Sequence, residues 1–194
     1  VMQRVVIIED DRQHEGKHLN KHEAWDELGV PYLSRSEMIK LDFGDYMRGF
    51  DDGTPDPASN ISVDTKQHLG EVSTNLGKKH ETFKREVKRA NDAGYLLVVL
   101  VETEDATCIE DVRGWTNDHC VHCLHYRRRD CDPHDGDSIC LKHGTKKPLQ
   151  GETMAKQMAT MERSRSIRFE FVPPSESAVR ICEILGVRYG NKGD

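Results

Sequence analysis

Apolar residues come in short bursts along this chain, and the spacing inside each burst predicts alternating strands and helices. The run from Arg4 to Ile8 reads as a buried strand, and the polar stretch Glu9-Asp10-Asp11-Arg12 ends it. His18 to Leu28 reads as a helix closed by Gly29, since glycine adopts the left-handed backbone of a helix C-terminus without steric cost. Pro31 to Ser34 is extended, and Ile39 to Phe43 reads as a second strand ending at Gly44-Asp45. Residues 49–60 are dense in Gly, Asp, Pro, Ser and Asn, which predicts a hairpin loop, and Ile61 to Lys66 is the returning strand.

The second half repeats the alternation. Leu76, Phe83, Val87 and Ala90 share a helical face, so a long helix or a helix pair covers about residues 70–92 and stops at Gly94. Tyr95 to Val101 is almost wholly apolar, as a strand buried on both faces must be, and Glu102 follows it. Residues 103–145 break the pattern: apolar positions thin out and Cys, His and Asp take their place. Periodicity returns with a helix over Gly151–Arg163, whose Met154, Met158 and Met161 form a core-facing stripe. A strand over Ile167–Phe171, a break at Pro173-Pro174 and a last helix N-capped by Ser175 and running to Leu185 complete the order, with residues 191–194 read as disordered. The expected fold is α/β, a mixed sheet flanked by helices. The expected organisation is one discontinuous domain, residues 1–102 and 146–190, interrupted by a Cys/His-rich insertion at 103–145.

Charge adds a direction to this picture. The 194 residues carry a net charge of −6, which taken alone argues against a nucleic-acid partner. The distribution argues the other way. Residues 1–65 hold 7 basic and 14 acidic groups, residues 66–92 hold 7 and 4, and residues 146–193 hold 9 and 5. An acidic half able to hold a cation beside two basic segments able to hold phosphates suits a nuclease, with ordinary helix surface charge as the competing reading. No apolar run approaches the roughly 18–20 residues that span a bilayer, and no signal peptide is visible.

The insertion has its own chemistry. Five of the six cysteines fall between Cys108 and Cys140, and without a secretory signal a metal site is expected rather than disulfides. Cys120, Cys123, Cys131 and Cys140 follow a C-x2-C-x7-C-x8-C spacing, and thiolates in that pattern suit a structural Zn²⁺ that supplies the folding free energy of a segment poor in apolar residues. His119, His122, His125, His134, His143 and Cys108 stand as alternative ligands, and reduced cysteines in a loop are the metal-free reading. Arg127, Arg128 and Arg129, with Lys142, Lys146 and Lys147, are placed to grip a nucleic-acid backbone.

Candidate catalytic chemistry centres on Asp45, Asp64 and Lys66. Strand side chains alternate faces, so Asp64 and Lys66 point the same way and Thr65 the other. If the strands that carry them are neighbours, Asp45 joins the pair, and the two acids become oxygen ligands for Mg²⁺ or Mn²⁺, with the Thr65 carbonyl as a third. The plainer reading is a turn aspartate and an exposed strand ion pair. Asp10 and Arg12, at the end of the first strand, are candidates to complete the site, against a structural ion pair. His14, Glu15, His18 and His22 form a polar helical face that reads mainly as solvated, with Glu15 or Glu23 as candidates to assist a second metal as the alternative.

Taken in order, Val6-Ile7-Ile8-Glu9-Asp10-Asp11-Arg12, Gly44-Asp45-Tyr46, Val63-Asp64-Thr65-Lys66 and Leu97-Val98-Val99-Leu100-Val101-Glu102 resemble the nuclease domain of XPF-type repair endonucleases, a branch of the PD-(D/E)xK superfamily. The family pattern is a strand ending in Asp-x-Arg-Glu, a Gly-Asp-Tyr, a Glu-Arg-Lys on the next strand, and an apolar strand ending in Glu. This chain departs from it. Glu-Arg-Lys is Asp64-Thr65-Lys66, the Asp-x-Arg-Glu segment reads Asp10-Asp11-Arg12-Gln13, and Gly70 stands where an acid often follows the lysine, with Glu71 adjacent. Within these 194 residues no tandem helix-hairpin-helix segment is expected.

The resemblance implies a restriction-endonuclease-like sheet and a Mg²⁺- or Mn²⁺-dependent DNA endonuclease, with Asp45, Asp64 and Lys66 catalytic, Asp10 and Arg12 assisting, and a homodimer plausible. The expected setting is repair, recombination or phage or defence DNA processing on branched or single-stranded DNA. The expected compartment is the cytoplasm for a bacterial or phage protein, or the nucleus for a eukaryotic one. A non-catalytic, zinc-containing DNA-binding or adaptor protein is the alternative.

Overall fold

The structure, a computed structural model, describes residues 3–10, 19–33, 39–135, 139–164 and 167–189. In chain order the elements are β1 (Val5–Glu9), α1 (Leu19–Leu28), β2 (Tyr32–Leu33), β3 (Tyr46–Phe50), β4 (Ile61–Lys66), α2 (Leu69–Leu76), α3 (His80–Asp92), β5 (Leu96–Glu102), α4 (Ile109–Val112), α5 (Asp118–Val121), α6 (Leu124–Arg127), α7 (Gly151–Ser164), β6 (Ile167–Val172) and α8 (Ser177–Leu185), the last entered through a 3-10 turn at Pro174–Glu176.

The strands form a mixed sheet in the order β2-β1-β3-β4-β5-β6. β1 runs antiparallel to β3, and β3 antiparallel to β4. The pairs β1–β2, β4–β5 and β5–β6 are parallel. β5 lies between two neighbours and under helices on both faces, which is why its sequence is apolar without alternation. Leu97, Val99 and Val101 pack with residues of α2, α3 and α7, including Phe83, Val87 and the predicted stripe Met154, Met158 and Met161. Val98 and Leu100 pack on the other face with Trp25 of α1 and Ile181, Cys182 and Leu185 of α8. Trp25 Nε1 donates to the Ala178 carbonyl at 3.0 Å and ties α1 to α8.

Two expectations need correction. Ile39 to Phe43 is not a strand: Leu41 and Phe43 are buried in the core, but their backbone is irregular. Leu41 N–H donates to the buried Asp10 carboxylate at 3.1 Å, so this stretch is held by a side-chain acceptor rather than a ladder. The strand instead runs from Tyr46 to Phe50, which places Asp45 just before a strand rather than at the end of one. The last helix begins at Ser177, not after Ser175, and Ser177 turns its hydroxyl inward to Glu102 at 2.7 Å. The helix pair over 70–92 and the Gly29 C-terminus (φ +67°) are as expected.

The segment 103–145 begins inside the main core, since Ala106 and Val112 are buried against it. Beyond Trp115 the character changes. Among described residues 118–149 the buried ones are Cys120, Cys123, Pro133 and Cys140. No helix among the described residues is long and apolar enough to cross a membrane.

Candidate active site

Asp45, Asp64 and Lys66 are brought together where β3 begins and β4 ends. Asp45 N–H donates to the Val63 carbonyl at 2.7 Å, continuing the antiparallel ladder for one residue before the chain turns away at Gly44. Gly44 has φ +70°, and a Cβ there would stand 2.2 Å from Ser62 Oγ, so only glycine fits the turn that delivers Asp45. The Asp45 carboxylate takes up the ladder's unfinished work: its Oδ2 accepts from Thr65 N–H at 2.9 Å and from Thr65 Oγ1 at 2.5 Å. A strand residue projects its N–H and C=O to the same edge, so the Thr65 carbonyl also faces the Asp45 side of β4.

Asp64 and Lys66 share the opposite face of β4 from Val63, as period two requires. Lys66 Nζ lies 2.7 Å from both Asp64 oxygens. It donates a hydrogen bond to Oδ1, whereas Oδ2 is buried with no hydrogen-bond donor. Asp64 is 3% exposed and Lys66 7%. Burial raises the Asp64 pKa; Lys66 opposes this, and Asp45 and Glu86 add to it, leaving the group well above the usual carboxylate range. Burial works against the Lys66 charge, but Asp64 and Asp45 outweigh it and raise its pKa, so Lys66 is a firmly held ammonium.

The Asp64 carboxylate, ion-paired to Lys66 through both oxygens and close enough to Asp45 to feel its charge, belongs to the class of hard oxygen ligands that a divalent cation takes. By donor type, Asp45 and Asp64 with the Thr65 carbonyl are the residues that could hold Mg²⁺ or Mn²⁺. Among the described residues no three His, Cys, Asp or Glu side chains are already drawn together as a closed metal cluster.

Asp10 is buried one step away: its N–H donates to the Asp45 carbonyl at 2.9 Å, and its carboxylate holds Leu41 N–H. It braces the loop that carries Asp45. Arg12, His14, Glu15 and His18 lie outside the described residues, so their placement is not assigned.

Several charged groups escape sequence reasoning. Glu86 of α3 accepts from Gly44 N–H at 3.0 Å and clamps the same turn from the other side. On the α1 face of the sheet, Glu9 meets His22 Nε2 at 2.5 Å, and Lys21 meets Glu102 at 2.5 Å with both side chains buried. Burial raises the Glu9 pKa, His22 opposes it, and Asp45 adds to it, so this network and the catalytic candidates feel one another. The position of Glu9 and Glu102 at strand ends was the available signal. Lys21 and Glu86 look like ordinary helix surface charges.

The four predicted zinc ligands converge elsewhere. Cys120, Cys123, Cys131 and Cys140 line one cavity of about 30 Å³, together with His119 and His143. All are free thiols, as are exposed Cys108 and core-buried Cys182. Burial pushes the Cys120 thiol up; Gln150 opposes it, and Cys140, Cys131 and Cys123 add to it. His125 leans towards Asp130 at 3.9 Å and His134 towards Thr116 Oγ1 at 3.2 Å.

Comparison with solved structures gives the fold a relative. XPF from Aeropyrum pernix matches with a TM-score of 0.50 at 14% sequence identity, covering 92% of this chain. The fold is nuclease-like. This chain spans 62% of the length of that chain. No protein-family profile matches the sequence, and no curated protein matches it. At 14% identity the likeness speaks to the sheet and its helices, not to individual side chains.

Proposed function

We propose that the chain is a metal-dependent DNA endonuclease that hydrolyses phosphodiester bonds. The observation that carries this reading is the buried Asp64–Lys66 pair beside Asp45, where the central strands β3 and β4 meet in a nuclease-like sheet. Asp45, Asp64 and the Thr65 carbonyl would hold Mg²⁺ or Mn²⁺. Such an ion, when bound, neutralises charge on the scissile phosphate and acidifies a water.

The chain's own groups do the rest. Lys66, kept cationic by its two acids, donates to a phosphate oxygen or orients the attacking water; in this state it is not a base. Asp10 and Glu86 hold the loop so that Asp45 meets β4 in one geometry. Arg127, Arg128 and Arg129 are exposed on the insertion and would contact the phosphate backbone as a sequence-independent grip. DNA as partner and a homodimeric assembly belong to this same reading.

Incubating the protein with supercoiled, single-stranded and branched DNA, each with Mn²⁺, Mg²⁺ or chelator, tests it. Cleavage should require the divalent ion, and Asp64→Ala should lower the rate by on the order of a hundred- to a thousandfold. Binding to DNA with no cutting under any ion would replace this reading with the adaptor alternative.

A further inference from the structure

The insertion contains a second site, independent of the nuclease reading. Three of the four buried residues among described positions 118–149 are cysteines, so sulfur, not hydrocarbon, forms the centre of this segment. The backbone shapes that centre with two tight turns. Cys123 N–H donates to the Cys120 carbonyl at 2.9 Å, and Gly144 N–H to the Cys140 carbonyl at 2.8 Å. Gly144 supplies the left-handed residue at φ +62°. The four cysteines line one cavity of about 30 Å³, and among the described residues no three of them are drawn together as a closed metal cluster.

Gln150 gives the second observation. Its Oε1 accepts from Asn117 N–H at 2.8 Å, which fixes the amide's orientation and turns Nε2 to Cys120 Sγ at 3.3 Å. Gln150 is 5% exposed. A buried amide N–H aimed at sulfur is the geometry of an outer hydrogen bond to a metal-bound cysteine. Lys142 and Lys147 line the same cavity, and their ammonium groups offset the two net negative charges of a divalent ion with four thiolates.

We propose that Cys120, Cys123, Cys131 and Cys140 hold one Zn²⁺ as four thiolates, with Gln150 as the outer hydrogen-bond donor to the ion's sulfur shell. Four sulfurs complete a tetrahedral shell and leave no position for substrate, so the ion is structural. Cys108 is exposed outside the cavity and Cys182 is buried in the core, so neither is a ligand. The site is also wired to the sheet. Asn117 Nδ2 donates to Ser73 Oγ at 3.1 Å, and Ser73, buried on α2, donates to the Leu149 carbonyl at 2.8 Å. This buried polar chain therefore ties the proposed ion's shell to α2, the helix that begins three residues after Lys66.

The test uses the full chain purified without added metal. Elemental analysis should find one zinc per chain, and thiol modification should release it to a chromogenic chelator in the same proportion. Replacement by Co²⁺ should give the visible and charge-transfer bands of four sulfur ligands. Gln150→Ala, a milder change than removing a ligand, should keep the stoichiometry and weaken zinc affinity by roughly 10–100-fold. Folded, zinc-free protein that takes up no Co²⁺ overturns the proposal, as does a three-sulfur, one-nitrogen spectrum pointing to His119 or His143.

Discussion

The sheet and the cysteine segment solve the same problem by different means. The sheet excludes water with branched and aromatic side chains: Ile7, Val63, Val98 and Leu100 on one face, Ile8, Leu97, Val99 and Val101 on the other. Each fully buried side chain of that size contributes about 1.5–3 kcal/mol. The cysteine segment turns its large apolar groups outward instead. Val121, Leu124, Ile139 and Leu141 are exposed, and its helices α5 and α6 are single turns, too short to persist alone. One region is therefore stable through area, whereas the other, on the proposal above, would depend on a point attachment. A chain can carry both because the attachment is anchored to the area, through Asn117, Gln150 and Ser73.

If the proposed zinc is bound, its removal should break this comparison most visibly. In amide hydrogen exchange, residues 117–150 are expected to lose their protection on chelation while β4 and β5 keep theirs; equal loss in both regions would mean that the sheet also needs the ion. Next in size is the buried Lys21–Glu102 pair. Lys21→Met leaves Glu102 without its charge partner and should cost about 3–5 kcal/mol in urea unfolding. Lys21→Met combined with Glu102→Leu should recover much of that loss. The same residue type then contrasts the two regions: Leu100→Ala should cost about 2–5 kcal/mol, and Leu124→Ala should stay within about 0.5 kcal/mol.

The smallest effect concerns Cys182. Burial pushes its thiol from an ordinary 9.0 up to about 11. Between these values the native chain keeps a proton that the unfolded chain has lost, so stability falls as pH rises through that window. Cys182→Ala should flatten this alkaline slope in urea melts at successive pH values, and native Cys182 should resist alkylation while exposed Cys108 reacts.

Much of the sheet was legible because burial on both faces leaves a plain mark: Leu96–Glu102 had no other reading, and the Met154, Met158, Met161 stripe sits where its period placed it. Leu41 and Phe43 misled because a buried residue on irregular backbone carries the same hydrophobicity as one in a strand. The actual strand, Tyr46–Phe50, hides an arginine and a glycine beside turn-forming neighbours. In the candidate site, Asp64 and Lys66 were legible from local period alone and meet at 2.7 Å. The support around them was not. Glu86 lies 42 positions from Gly44, and Lys21 is 81 from Glu102, so only tertiary structure could pair them.

Gly44 concentrates these dependencies in one hydrogen atom. With no room for a side chain beside Ser62 and its N–H on Glu86, it acts as the pivot from which Asp45 is aimed. A single methyl group there would leave every acid and amine of the site present in the chain yet mis-aimed, a lesion invisible to any inventory of functional groups.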